Sequence, residues 1–74
     1  MADTITFTIE EHIANIAPTS DNGWTRELNL VSWNGSKAKY DIREWAPEHD
    51  RMSRGITLTD AEMQAVVDAV ADRF

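Results

Sequence analysis

Asn34-Gly35 sits between two runs rich in apolar and aromatic residues, Trp24 to Trp33 and Lys37 to Trp45. Both residues tolerate positive φ, which a tight turn between antiparallel strands requires at its two central positions. The dipeptide therefore predicts a hairpin, with Ser36 lengthening the loop by one residue. That hairpin makes the two runs neighbouring strands, and the rest of the chain has to be arranged around them.

The second run, Lys37-Ala38-Lys39-Tyr40-Asp41-Ile42-Arg43-Glu44-Trp45, splits into two unlike faces, because successive side chains of a strand point to opposite sides of the sheet. Ala38, Tyr40 and Ile42 form a face suited to a core. Lys37, Lys39, Asp41, Arg43 and Trp45 form the other, with three cations, an indole and one carboxylate. Cations attract phosphate, and a flat aromatic ring stacks on an unpaired base. The combination suggests a platform for single-stranded nucleic acid. A solvated strand face with an isolated Trp is the plainer reading of the same residues.

Elsewhere the periodicity is simpler. Ile5, Phe7 and Ile9 alternate with Thr4, Thr6 and Thr8, the mark of a half-buried strand. The alternation loses register from Glu10 to Ala17, as a bulge or bend would make it do. Pro18-Thr19-Ser20-Asp21-Asn22-Gly23 is turn chemistry throughout. Trp24 to Trp33 reads as the second strand. Leu28, Leu30 and Val31 break its alternation, so a further irregularity is expected there. Ala46 to Arg54 reads as a loop entering a fourth strand with Ile56 and Leu58 on one face. Thr59-Asp60-Ala61-Glu62 matches a capping box, and Met63, Val66, Val67, Val70 and Phe74 follow at helical spacing. The expected fold is α+β: a four-stranded antiparallel sheet followed by a C-terminal helix, β-β-β-β-α, in one domain spanning residues 1–74.

A chain of 74 residues buries a limited fraction of its surface. It holds no cysteine, so neither a disulfide nor a thiolate metal site can compensate. Self-association is therefore expected, and the Met/Val stripe of the helix reads as core or as the seam of a homodimer. The net charge of −6 argues against a nucleic-acid partner until its distribution is considered. Six of the seven Lys and Arg residues fall between residues 22 and 57, and local field outweighs total charge. The N-terminus has neither the basic patch nor the apolar run of a signal peptide, and no apolar run approaches a membrane span. A cytoplasmic protein without a membrane partner is expected, nucleoid-associated if bacterial.

Asp41-Ile42-Arg43-Glu44-Trp45, then Pro47, then Arg54-Gly55-Ile56-Thr57-Leu58 and an acid-capped helix resemble the PC4 family of transcriptional coactivators. Gly23-Trp24 through Pro47 is similar to its small bacterial YdbC-like branch. The resemblance implies a curved sheet, a homodimer with helices at the interface, and paired channels for single-stranded DNA, bound with little sequence preference through basic and aromatic side chains. Arg43 matches the family's strand arginine. Arg54 matches its basic residue before the Gly-Ile block, and Lys37 a lysine opening the third strand. Trp33 lies near a hairpin aromatic once a one-residue gap is allowed. The chain departs from the family where Trp45 is followed by Ala46 instead of a second aromatic. The Ser-rich regulatory tail of eukaryotic members is absent from this sequence.

The candidate nucleic-acid-binding residues are therefore Trp33, Lys37, Lys39, Arg43, Trp45 and Arg54. Trp33 and Trp45 are the stacking candidates. Shared parity with Lys39 and Arg43 favours an exposed Trp45, whereas Trp24, after a turn, reads as core. Arg43 suits a phosphate or a base face. The alternative for it is an ion pair with Glu27 or Glu44, and Asp41 is placed to orient it. No catalytic residue, cofactor or metal is expected. His12 and Glu48-His49-Asp50 are weak hints of metal ligation, the serines lack a nucleophile-elbow context, and there is no phosphate-binding glycine loop. A non-enzyme that binds single-stranded DNA in transcription, replication or repair is the leading reading, with RNA as an open variant. The alternative from composition is an acidic interaction module for a basic protein. A metal-dependent nuclease acting through His49 is a distant third.

Overall fold

A computed structural model describes residues 5–74. Four strands, β1 (Phe7–Asn15), β2 (Thr25–Trp33), β3 (Lys39–Trp45) and β4 (Met52–Leu58), precede a single helix, α1 (Asp60–Val70). The strands lie in the sheet in chain order, and each neighbouring pair is antiparallel. This is the β-β-β-β-α arrangement read from the sequence. Thr4, the first residue of the expected alternation, lies outside the described residues.

Local chemistry explains the boundaries. Asn34 and Gly35 adopt φ of 51° and 77°, and the Ser36 N–H donates to the Trp33 carbonyl at 2.9 Å, closing the β2–β3 turn. The turn extends further than expected, so β3 begins at Lys39 and not at Lys37. β4 begins at Met52, inside the stretch read as a loop. At the start of α1, the Thr59 hydroxyl accepts from the Glu62 N–H at 3.1 Å, and the Glu62 carboxylate accepts from the Thr59 N–H at 2.8 Å. Both orphan donors are thereby satisfied. Phe74, placed on the helical stripe by its spacing, lies beyond the end of α1 and is exposed.

The bulging expected in β1 is present, whereas the further irregularity expected in β2 is absent from its pairing with β3. Pairing of β2 with β3 runs unbroken from Thr25 opposite Trp45 to Val31 opposite Lys39. Pairing of β1 with β2 shifts between Ile9 and Glu11, and again between His12 and Ala14. Each shift adds a residue to β1, and such insertions bend and twist a sheet. The result is a strong curl. Phe7 lies opposite Trp33, while Trp45 lies opposite Thr25 at the far end of β2. A straight strand would hold these two stations roughly 26 Å apart at about 3.3 Å per residue. The Phe7 and Trp45 rings nonetheless meet at 5.1 Å. The face that carries them is therefore concave.

The curl reverses the expected inside and outside of β3. Asp41 and Trp45, assigned by parity to an exposed basic face, are fully buried on the concave side, with Glu27, Asn29 and Val31 of β2 beside them. Tyr40 and Ile42, assigned to the core, are only half-buried. They share the convex face with Leu28, Leu30 and Ile56, and Ile56 is 53 % exposed. Helix α1 touches β3 and β4, but none of its residues is buried. A hollow of about 480 Å³ lined by Leu28, Leu30, Tyr40, Met63 and Val67 lies between helix and sheet. Among the described residues no helix is long and apolar enough to cross a membrane.

Candidate nucleic-acid interface

The concave face gathers three of the six candidate residues into one place. Trp33, Arg43 and Arg54 line an open groove of about 580 Å³, with Met52, Ser53 and Thr57 along its β4 side. Arg43 lies opposite Glu27, far along β2 from Trp33, yet its guanidinium carbon stands 4.6 Å from the centre of the Trp33 ring. Only the curl permits that contact. A guanidinium over an indole is a cation–π pair, which holds both planes in register.

Arg43 is held from below as well. Its Nε and Nη2 donate to the two Asp41 carboxylate oxygens at 2.6 and 2.7 Å. The Thr57 hydroxyl donates to the same carboxylate at 3.0 Å. The pairing with Glu27 or Glu44 considered from sequence does not form, and Glu44 binds Arg26 at 2.6 Å on the other face. Such a bidentate pair fixes geometry while neutralising most of the arginine's charge. Room for the side chain comes from Gly55, directly opposite Arg43. A Cβ there would lie 2.3 Å from the Ile42 carbonyl oxygen and 2.4 Å from the Arg43 Cβ. The glycine of the Arg-Gly-Ile-Thr-Leu block is thus required by close strand approach.

Trp45 does not present a stacking surface. Its parity with Arg43 is as expected, but it is 0 % exposed, and the expectation of an exposed ring is corrected. Phe7 crosses over it from β1, and His49 stacks on it at 5.6 Å with 26° between the planes. Alternation tells which face a residue shares; it does not tell whether the sheet closes over that face. Trp33, by contrast, is half-buried and borders the groove. Phe7 lies 5.9 Å from it, so the rings Trp33, Phe7, Trp45 and His49 form a continuous row across the concave face. Trp24, read as core, is half-buried, with the Arg51 guanidinium 5.8 Å from its ring.

Lys37 and Lys39 stand apart from this groove. With Ala38 they line a shallow hollow of about 200 Å³ against Thr59, Asp60 and Ala61 at the start of α1. Lys37 Nζ lies 3.8 Å from an Asp60 carboxylate oxygen, and both side chains are largely exposed. An ion pair of that kind is weak and easily exchanged for a phosphate.

A second polar cluster at the opposite end of the aromatic row was not legible in the sequence. Glu27 is 4 % exposed and accepts from the Thr25 hydroxyl, from Asn29 Nδ2 at 3.0 Å and from His49 Nε2 at 2.8 Å. His12 Nδ1 is 3.4 Å from the same carboxylate and 2.7 Å from Asn29 Oδ1. Burial alone would raise the Glu27 carboxyl. The hydrogen bonds from Thr25, Asn29 and His49 outweigh it and hold the group below its ordinary value of 4.5. The two histidines come together only because β1 is bulged and because His49 adopts φ of 57° in the β3–β4 loop. Among the described residues no group of three or more His, Cys, Asp or Glu side chains is arranged to hold a metal ion.

Comparison with known proteins points the same way as the geometry. Residues 20–69, from the turn before β2 to the last full turn of α1, match the model of the family described as Transcriptional Coactivator p15 (PC4). An uncharacterized protein of Treponema pallidum (strain Nichols) is 54 % identical over 50 residues, which is 68 % of this chain and 59 % of that protein. The aligned part thus spans somewhat under two thirds of the relative's length. The matched segment contains the three strands that line the Trp33–Arg43–Arg54 groove, β2, β3 and β4.

Proposed function

Because this chain belongs to the family of the transcriptional coactivator p15 (PC4), we propose that it binds single-stranded DNA through its concave face, as a homodimer and with little preference for sequence. The observation that carries this reading is the groove in which Trp33, Arg43 and Arg54 converge. Trp33 offers a π-face to an unpaired base, with Arg43 locked against it as part of the same shelf. Stacking of this kind contributes roughly 1–3 kcal/mol per base and does not depend on which base it is. Arg54 is exposed and no carboxylate pairs with it among the described residues, so it is the groove's available phosphate contact. Lys37 and Lys39 extend the basic edge toward α1. Trp45 supports the platform from within and makes no contact with the strand.

The homodimer is supported by what the convex face leaves open. Val66 and Val67 of α1 are 47 % and 46 % exposed, and Ile56 of β4 is also uncovered. A second copy bringing its own helix would cover this surface by two-fold symmetry, the commonest closed arrangement. The protein acts by binding and not by catalysis, in transcription, replication or repair. RNA is a possible ligand on the same stacking logic.

Fluorescence anisotropy with matched single- and double-stranded oligonucleotides, across a salt series, tests the reading. Single strands should bind more tightly, and log affinity should fall with log salt at about −0.7 per phosphate neutralised. Equal affinity for duplex would reduce the interaction to generic charge attraction. Retention by a basic protein but by no oligonucleotide would favour the acidic interaction module instead. Sedimentation should give a dimer at micromolar concentration.

A further inference from the structure

The aromatic row of the concave face ends in a second groove, of about 530 Å³, lined by His12, His49, Thr25, Asn15 and Ile9 around Glu27. The hydrogen-bond network fixes what this groove can do. Asn29 directs its Nδ2 to the Glu27 carboxylate, so its Oδ1 faces His12, and His12 Nδ1 must carry a proton to donate to it. His49 Nε2 likewise donates to Glu27. The second nitrogen of each ring, His12 Nε2 and His49 Nδ1, has no partner among the described residues. Each is a free lone pair in the neutral ring and a free N–H donor once protonated. Both side chains are partly exposed, whereas Glu27 is buried between them.

We propose that His12 and His49, held on either side of Glu27, form a proton-dependent phosphate subsite that continues the single-strand path beyond the Trp33–Arg43–Arg54 groove. The inference rests on the single-strand-binding reading and adds to it a second anchoring point and its condition. With both rings neutral, Glu27 gives the groove a charge of −1, which repels a phosphodiester. With both rings protonated the charge becomes +1, and each ring directs one N–H outward. The charged groups facing the two rings are few. Glu27 of β2 is the carboxylate between them. On β3, Arg43 lies opposite Glu27 but is committed to Asp41, and Trp45 presents only its ring to His49. Glu48 and Asp50 flank His49 in its loop, are exposed, and do not line the groove. The two grooves lie at opposite ends of the aromatic row, with the half-buried Phe7 over the fully buried Trp45 between them, so a strand reaching both would pass over Phe7.

The test is the affinity of the full chain for an oligothymidine, whose bases do not titrate between pH 5.5 and 8, measured by anisotropy at each pH over a salt series. Affinity should rise on acidification by about fivefold for each imidazolium gained, the Boltzmann factor of one close charge contact in water. The log–log salt slope should steepen by about 0.7 for each added phosphate contact. In the double variant His12→Gln, His49→Asn both pH effects should vanish while binding at pH 8 persists. Asn is chosen because it tolerates the positive φ at position 49. Should that variant fail to fold, the wild-type imidazole resonances give the same answer. By linkage, saturating oligothymidine must raise the protonation midpoints of both rings. Absence of oligothymidine binding at every pH overturns the single-strand reading itself. Binding at pH 8 with a pH-independent affinity, with imidazole midpoints unmoved by the oligonucleotide, or with an unaltered pH effect in the double variant overturns the phosphate subsite and leaves that reading standing.

Discussion

The two faces of this sheet differ in a way that reverses the usual assignment of core and surface. The concave face carries Glu27, Asn29, Asp41 and Arg43, yet it is the better buried of the two. The convex face carries Leu28, Leu30, Tyr40, Ile42 and Ile56, yet it stays half open beneath a helix with no buried residue. The concave face closes on itself, because the curl brings Phe7 over Trp45 and Trp33 onto Arg43. Its carboxylates are tolerable inside because both are partnered: Asp41 has Arg43 and Thr57, and Glu27 has Thr25, Asn29 and His49, whereas the indole N–H groups of Trp33 and Trp45 are buried without a partner among the described residues. The convex face has shape and hydrophobicity, but among the described residues α1 covers it only in part. One face is a finished interior with a groove at its rim, and the other is the surface on which the proposed homodimer would close.

Substitutions at matched positions can break this comparison. The largest effect belongs to Trp45→Ala, which should cost about 3–5 kcal/mol of stability in urea denaturation, as for other buried aromatics. A variant that stays fully stable would mean that the concave face is not the closed side. Trp33→Ala should leave folding largely intact and weaken oligonucleotide binding by roughly 1–3 kcal/mol without changing the salt slope. A drop in slope instead would assign Trp33 a role in placing phosphate contacts.

Val66→Glu sharpens the comparison from the other side. On the exposed helix surface of an isolated chain it should alter stability by no more than about 0.5 kcal/mol. At a two-fold seam it buries an unpaired charge and should shift sedimentation toward monomer. An unchanged dimer would move the seam away from α1. The smallest effect is the acid limb of stability. Glu27 is held below 4.5 in the folded chain, so it contributes stability above its unfolded value that is lost as pH falls through its folded value. The urea midpoint should therefore decline below about pH 5, and less steeply in Glu27→Gln. Identical pH profiles for the two proteins would show that the network around Glu27 adds nothing to folding.

Much of this architecture was legible because it is local. Asn34-Gly35 specifies its own turn, Thr59 and Glu62 specify their own cap, and the Asp41/Arg43 spacing places two opposite charges on one side of one strand. The curl is not local. It depends on two extra residues in β1, whose presence showed in the sequence as lost periodicity but whose positions opposite β2 did not. The misassigned burial of Trp45 follows from that. Period-two alternation placed Trp45 with Arg43 correctly, but only the curl decides that Trp45 lies under Phe7 while Trp33 remains at the rim. The meeting of His12 with His49 at Glu27 had no signal at all, since it joins a bulged strand, a central strand and a loop residue at positive φ.

The bidentate hold of Asp41 on Arg43 has a kinetic meaning once a strand is bound. A cation already matched by a buried carboxylate casts little field into solvent, so Arg43 contributes little to drawing a polyanion in from a distance. In the proposed complex that task would fall to the exposed Arg54 beside the groove and to Lys37 and Lys39 near the start of α1, since exposed peripheral charges act mainly on association rates. Arg43 arrives at the encounter already oriented against Trp33, with no rotamer left to order. Its contribution would fall on dissociation. In stopped-flow, Arg54→Ala should slow capture and lessen its dependence on salt, whereas Arg43→Ala should leave capture nearly unchanged and shorten the time a strand stays.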